Sequence, residues 1–129
     1  MTEQELLGRT KTFARRVLRL IEVLPSTRSG NIIAGQLGRS GTSVGANYRA
    51  ACRARSTADF LSKLGIVEEE ADESAFWMEL VIEEEMLPAG KVQPLWEEAN
   101  ALTAIMVSSR KTVAARLRKA KAQNLKSKT

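Results

Sequence analysis

Five polar residues in the middle of the chain have the types and spacing to do chemistry. Arg39, Ser43 and Asn47 recur every four residues, so they share one face of a helix. Glu70 and Glu73 lie three residues apart on the following helical segment. Paired carboxylates on facing helices can act as acid and base or hold a di-iron centre. Di-iron bundles complete their ligand sets with Glu-x-x-His motifs, and this chain has no histidine.

A structural role for the same residues is the simpler interpretation. A half-buried carboxylate is costly unless it is paired, so acidic residues that flank apolar positions need a partner. We therefore expect a structural polar core in which Arg39 contacts Glu70 or Glu73. Asn47 is expected to bind the remaining carboxylate oxygen, beside Ser43.

Most other enzyme chemistry is excluded by composition. Cys52 is the only cysteine, so one chain cannot form a disulfide. The chain has no histidine, so it cannot form a Cys/His zinc site or a Ser-His-Asp triad. Serine, threonine, tyrosine and carboxylates remain, but none is arranged as a nucleophile beside its base. We expect no enzymatic activity, no cofactor and no metal, and we expect Cys52 to be a small residue on a helix surface or an interface.

Four amphipathic helices must position these side chains. The 129 residues include only three prolines and eight glycines, and apolar residues recur at spacings of three and four. Short breaks between the segments predict one all-α domain over residues 1–122, an antiparallel up-down-up-down four-helix bundle, followed by a basic flexible tail at 123–129. The helices are expected at 3–24, 31–53, 57–86 and 92–121.

The second helix has an unusually small stripe formed by Gly38, Gly41 and Gly45. Each glycine inside a helix costs about 1 kcal/mol relative to alanine, so a closely approaching helix is the natural explanation. That helix could belong to the same protomer or to another copy. Bundle packing favours the same protomer.

Charge is distributed in three blocks of +7, −10 and +8, over residues 1–55, 56–100 and 101–129. The basic side chains could be solvated, could pair with an acidic third helix of a neighbouring copy, or could form a phosphate-binding surface. No base-reading motif accompanies them, so low sequence specificity is expected. The candidate nucleic-acid-binding residues are Arg9, Arg15, Arg16, Arg19, Arg49, Arg53, Arg55, Arg110, Lys111, Arg118, Lys119 and Lys121.

A second apolar row on the third helix consists of Ile66, Phe76, Trp77 and Leu80, interleaved with carboxylates. Large aromatic side chains on such a mixed face are typical of interface anchors. The alternative is that they pack on a neighbouring helix of the same chain.

Three stretches of the second and third helices carry a family resemblance. QLGRSGTSVGANYRAA at 36–51, STADFLSKL at 56–64 and EEEADESAFWMEL at 68–80 resemble the "four helix bundle protein" family, also called 23S rRNA intervening-sequence proteins. The resemblance implies an antiparallel bundle that assembles into a ring-like homo-oligomer, commonly a homopentamer, without known enzymatic activity. A related group serves diversity-generating retroelements as basic accessory proteins that contact a reverse transcriptase and nucleic acid.

Together these features predict a non-enzymatic, homo-oligomeric helical scaffold that binds RNA or DNA backbone with low sequence specificity. The alternative is a protein-binding adaptor, for example an accessory subunit for a reverse transcriptase or another nucleic-acid-processing protein. No apolar run approaches the ~20 residues that span a bilayer, so we expect a cytoplasmic protein with no membrane partner.

Overall fold

A computed structural model describes residues 1–128, and nearly all of them are helical. Each helix packs on the next one along the chain, and the last returns to the first through a smaller contact. This confirms the all-α class and the up-down bundle. The helices are α1 (Glu3–Glu22), α2 (Arg28–Cys52), α3 (Thr57–Glu83) and α4 (Ala89–Ser127).

Hydroxyl side chains define where the first three helices begin. Thr2 Oγ1 accepts a hydrogen bond from the Glu5 amide, and Ser56 Oγ accepts one from the Asp59 amide, both at 3.1 Å. Thr27 Oγ1 does the same for the Gly30 amide at 3.0 Å, so α2 begins three residues before its predicted start. Each cap satisfies an amide that has no partner inside its helix.

The end of α3 is a Schellman motif without the usual glycine. Glu85 adopts the left-handed conformation at φ 52°, and its amide donates to the carbonyl of Ile82 at 3.1 Å. The Met86 amide donates to the carbonyl of Val81 at 2.9 Å. These two bonds close the helix at Glu83, three residues before the predicted end.

The core is one continuous apolar cluster to which all four helices contribute. Its members follow the predicted three-and-four spacing, and burial of each large side chain contributes roughly 1.5–3 kcal/mol. The largest fully buried apolar side chains are Phe13, Val17, Leu37, Val44, Leu64, Val67, Met78, Val81, Val92, Leu102 and Met106.

The glycine stripe of α2 forms the contact with α1 inside the protomer, as the intramolecular interpretation predicted. A Cβ atom at Gly41 would lie 2.6 Å from both Cγ atoms of Val17, and one at Gly38 would lie 3.1 Å from Ile21 Cδ1. A Cβ atom at Gly45 would lie 3.2 Å from a backbone carbonyl oxygen of α1. The two helices therefore approach too closely for ordinary side chains at this crossing.

Helix α4 is longer than the rest of the bundle. Its 39 residues extend about 58 Å, against about 40 Å for α3. It begins at Ala89, three residues before the predicted start, and Pro94 lies in its second turn. It continues to Ser127, so the predicted helix end at 121 is wrong and residues 123–127 of the predicted tail are helical, while Thr129 lies outside the described residues.

Candidate functional site

The predicted ion pairs of Arg39 are present, but they lie at the surface. Arg39 Nη1 donates to Glu70 Oε2 at 3.1 Å and to Glu70 Oε1 at 3.3 Å, and Arg39 Nη2 donates to Glu73. The Arg39 side chain is 51% exposed. The predicted contact is confirmed and Glu70 is half-buried, with 19% of its side chain exposed, but the Arg39 end of the network lies at the surface rather than in the core.

Asn47 does not take part in that network. Its Nδ2 donates to the Ser43 carbonyl oxygen at 3.0 Å and to Ser43 Oγ at 2.7 Å, one turn back along α2. The predicted bond from Asn47 to a carboxylate is therefore wrong. A short amide side chain in a helix is satisfied locally more readily than across the bundle.

The buried polar link between α2 and α3 is instead a pair of hydroxyls that the sequence did not single out. Ser40 Oγ and Ser74 Oγ are 2.9 Å apart, and both residues are fully buried. Ser74 Oγ also donates to the Glu70 carbonyl oxygen at 2.8 Å. The position of Ser74 in the sequence indicates that it is buried, since it falls on the core stripe of α3 between Ala71 and Met78.

Three of the twelve candidate nucleic-acid-binding residues interact with carboxylates of the same protomer. Arg9 forms a two-pronged ion pair with Glu98, and its pKa is raised chiefly by that hydrogen bond. Arg110 Nη2 donates to Glu68 Oε1 at 2.8 Å. The third is Arg55, which adds to the lowering of the Asp59 pKa that the Lys63 ammonium chiefly causes.

The other nine make no ion pair with any residue in 1–128, and all except half-buried Arg16 are exposed. They are Arg15, Arg16, Arg19, Arg49, Arg53, Lys111, Arg118, Lys119 and Lys121.

The end of α4 concentrates this positive charge. Residues 111–128, which we call the basic arm, include seven lysine and arginine residues and no carboxylate. Every residue from 118 to 128 is exposed, so about 17 Å of helix has no other helix against it. Three basic residues of the arm are not among the predicted binding residues: Arg116, which lies inside the predicted helix, and Lys126 and Lys128, which lie beyond its predicted end.

A second basic region surrounds a groove of about 470 Å³ between α1 and α2. Small and apolar residues line its floor, among them Leu7, Gly8, Ala14, Gly45 and Ala46. We call this region the basic groove, because its rim carries Lys11, Arg49 and Arg53.

The apolar row on α3 divides between core and surface. Trp77 and Leu80 pack against the core, whereas Ile66 and Phe76 are exposed, Phe76 by 50%. The rings of Phe76 and Trp77 meet edge to face, with their centroids 5.0 Å apart. Trp77 Nε1 is buried without a hydrogen-bond acceptor among the described residues. The packing alternative therefore applies to Trp77 and Leu80, and an interface role remains a prediction for Ile66 and Phe76.

Cys52 lies where the end of α2 meets the start of α1. Burial, reinforced by the Glu3 carboxylate, raises the pKa of the Cys52 thiol. Burial also raises the pKa of the Tyr48 hydroxyl. Both groups are therefore held in their neutral forms.

Two further properties of residues 1–128 bear on function. No group of three or more Cys, Asp and Glu side chains in this part of the chain is placed to hold a metal ion. None of its helices combines the length and apolarity that crossing a lipid bilayer requires.

Comparison with known proteins identifies similar sequences and folds. The profile of a family described as 23S rRNA-intervening sequence protein matches residues 2–108. A crystal structure of a protein of unknown function from the S23 ribosomal protein family of Bacteroides thetaiotaomicron VPI-5482 is 32% identical, with a TM-score of 0.79. The similarity covers 86% of this chain and 99% of that one. No curated protein matches the chain.

Proposed function

Because the chain belongs to the 23S rRNA-intervening sequence protein family, we propose that it is a non-enzymatic, homo-oligomeric helical scaffold that binds nucleic-acid backbone. Membership does not itself supply an activity, since the similar crystal structure is of a protein of unknown function. The proposal therefore depends on the chemistry of the exposed surfaces.

The basic arm is the observation that carries the nucleic-acid part. Its seven positive residues lie along about 27 Å of helix, and residues 99–128 include no Asp or Glu side chain. Lys and Arg side chains that neutralise phosphates release counterions, which makes this kind of binding strong at low salt and weak at high salt. The arm contains no aromatic residue on which a base could stack, so the binding should be insensitive to sequence.

Assembly of several copies would increase the affinity of the basic arms for nucleic acid. One arm provides only a few phosphate contacts, whereas linked arms act at a high effective concentration on the same strand. The family resemblance supports a ring, commonly of five copies, as the arrangement that would bring the arms together. The exposed Phe76 and Ile66 leave apolar surface for contact between copies.

The test combines oligomeric mass with binding across a salt series. Light scattering gives the mass, and fluorescence anisotropy gives Kd for mixed-sequence 20-nucleotide RNA and DNA. The arm variant Arg118→Gln/Lys121→Gln should bind at least about tenfold more weakly than wild type, with a shallower dependence of log Kd on log salt. A matched variant, Arg28→Gln/Lys91→Gln, removes two charges elsewhere and should change Kd by less than about twofold.

Three results would contradict the proposal. A wild-type protein that binds neither RNA nor DNA at low salt would remove the nucleic-acid part, and a monomer would remove the scaffold part. Equal losses in the two variants would mean that net charge, rather than the arm, governs binding. Salt-insensitive, stoichiometric binding to a nucleic-acid-processing protein would favour the adaptor alternative, for which the exposed apolar residues of α3 are the supporting feature.

A further inference from the structure

Two exposed surfaces of the bundle, one on α3 and one between α1 and α2, are complementary in charge. The first, which we call the acidic face, runs along the outside of α3. Its residues recur at helical spacings and are all exposed: Glu69, Asp72, Phe76 and Glu83. Phe76 is thus an apolar side chain surrounded by carboxylates on one stripe.

The second surface is the basic groove between α1 and α2. Its floor is built from short side chains and its rim from Lys11, Arg49 and Arg53. Gly8 contributes to the opening, because a Cβ atom there would have no neighbour within 4 Å. A glycine inside α1 costs about 1 kcal/mol relative to alanine, and no close approach within the protomer accounts for it.

Neither surface is neutralised within the protomer. Glu69, Asp72 and Glu83 form no ion pair with a residue in 1–128, and neither do the three rim residues of the basic groove. Other surface charges of the bundle do find partners, as Arg39, Arg110 and Arg9 do. The charges of both surfaces can therefore pair with opposite charges of another molecule.

We propose that a second copy of this chain joins the two surfaces, with the acidic face of one protomer docked in the basic groove of the next. Phe76 lies against the small-residue floor, and the carboxylates beside it meet Arg49, Arg53 and Lys11. This inference rests on the oligomeric part of the proposed function and specifies which surfaces form the contact.

The contact has a direct consequence for symmetry. Because one protomer offers two different surfaces, the interface is heterologous, and each copy uses its groove toward one neighbour and its acidic face toward the other. Repetition of such a contact gives a closed ring when the rotation between copies divides a full turn. A dimer related by a twofold axis would have to make this contact twice, with the acidic face of each copy in the groove of the other, and this requires both surfaces of a protomer to face the same partner.

Charge reversal tests the interface in three variants. Glu69→Arg/Asp72→Arg makes the acidic face basic, and Arg49→Glu/Arg53→Glu makes two rim positions of the groove acidic. Each should reduce the mass measured by light scattering toward the 14.2 kDa of a protomer. The variant that carries all four substitutions has the wild-type net charge and opposite charges on both surfaces, so it should recover the wild-type mass.

Two controls separate folding and net charge from the interface. Glu84→Arg/Glu85→Arg makes the same charge change beyond the end of α3 and should leave the mass unchanged. Phe76→Ser removes a half-exposed side chain whose ring meets that of Trp77, so it should reduce the mass while circular dichroism shows the helices retained and the thermal midpoint falls only slightly. That variant tests the interface even if a charge-reversal variant fails to fold.

The outcomes distinguish this inference from the proposed function. A wild-type monomer would overturn both the scaffold and the interface. A wild-type oligomer whose mass is unchanged by the paired substitutions and by Phe76→Ser would overturn the interface alone. Failure of the fourfold variant to reassemble, while it remains folded, would show that these two surfaces do not meet each other.

Discussion

Arg9 and Glu98 join the first helix to the last through two parallel hydrogen bonds. Arg9 Nε donates to Glu98 Oε2 and Arg9 Nη2 donates to Glu98 Oε1, each at 2.7 Å. The pair spans 89 positions of sequence at the smallest helix-helix contact of the bundle. The two-pronged geometry therefore fixes how α4 returns to α1, and it removes Arg9 from the surface available to phosphate.

Breaking this pair should loosen the closure of the bundle. Glu98→Gln should lower the free energy of unfolding by about 1 kcal/mol, since the pair is partly exposed and solvent screens it. Thermal melting followed by circular dichroism should detect a decrease of a few degrees in Tm. Glu97→Gln removes an exposed neighbouring carboxylate and should leave Tm unchanged. Equal shifts in both variants would mean that the pair has no special role in closure.

Replacement of Gly41 and of Gly35 in α2 by alanine should have opposite effects on the stability of the protein. Gly41→Ala places a Cβ atom 2.6 Å from the stiff, fully buried side chain of Val17, so it should destabilise the protein by about 1–3 kcal/mol. Gly35→Ala meets nothing within 4 Å and should stabilise α2 by about 0.5–1 kcal/mol. Urea unfolding measures both changes. Equal changes of the same sign would contradict the close crossing.

The buried hydroxyl pair should contribute more to stability than the ion pairs above it. Ser74→Ala leaves Ser40 Oγ without its partner in the core and should cost about 1–2 kcal/mol. Glu73→Ala should cost less than about 1 kcal/mol, because the Arg39 side chain is half exposed and retains Glu70. Urea unfolding measures the loss of stability in each variant. A larger loss in Glu73→Ala than in Ser74→Ala would show that the ion pairs of Arg39, and not the hydroxyl pair, are the main polar link between α2 and α3.

The Ser40 and Ser74 substitutions should also be coupled. Each single variant already breaks the Ser40–Ser74 hydrogen bond, and the double variant Ser40→Ala/Ser74→Ala breaks it only once, so the double variant should cost less than the sum of the two single costs. Additive costs would show that the two hydroxyls act independently.

Cys52 should react slowly with thiol reagents in the folded protein. Its pKa is raised, so less thiolate is present at pH 8 than in the unfolded chain, and the midpoint of the rate against pH should shift upward. Glu3→Gln removes a carboxylate that raises this pKa and should move the midpoint back down. The reaction can be followed by absorbance, with urea-unfolded protein as the reference. Identical midpoints in folded and unfolded protein would contradict the burial argument.

The same shifts set the direction of the pH dependence of stability. Cys52 and Tyr48 both have pKa values that are higher in the folded chain than in the unfolded chain. The contribution of these two groups to the free energy of unfolding is fully present below their pKa values in the unfolded chain. It is lost as pH rises toward their pKa values in the folded chain. Stability should therefore fall on the alkaline side, and Tyr48→Phe should make that fall shallower.

Local features of the molecule could be predicted from the sequence. Apolar spacing located the four helices, and the match of Arg39 to Glu70 and Glu73 followed from helical periodicity on two antiparallel neighbours. The small stripe containing Gly41 correctly indicated a close helix crossing.

The features that could not be predicted depend on geometry over longer distances. The Arg9–Glu98 pair forms only because α4 comes back beside α1, and no spacing within either helix encodes that. Asn47 Nδ2 donates to Ser43, one turn back on its own helix, and not to a carboxylate on α3, and the spacing of these residues does not show which acceptor is reached. Residues 123–127 include only one large apolar side chain, Leu125, so their sequence gives no amphipathic signal, although a helix that is already formed can continue without one.

The basic arm owes its shape to the bundle below it. The fully exposed part of the arm, residues 118–127, would be marginal in water as an isolated helix, since the first turn must be ordered before any hydrogen bond compensates for it. The packed part of α4 supplies that first turn, so each arm residue adds to an existing helix and needs only a favourable propagation step, which Ala, Leu, Arg, Lys and Gln provide. The bundle thus acts as a permanent nucleus, and it holds the charges of the arm at fixed spacing before any polyanion arrives.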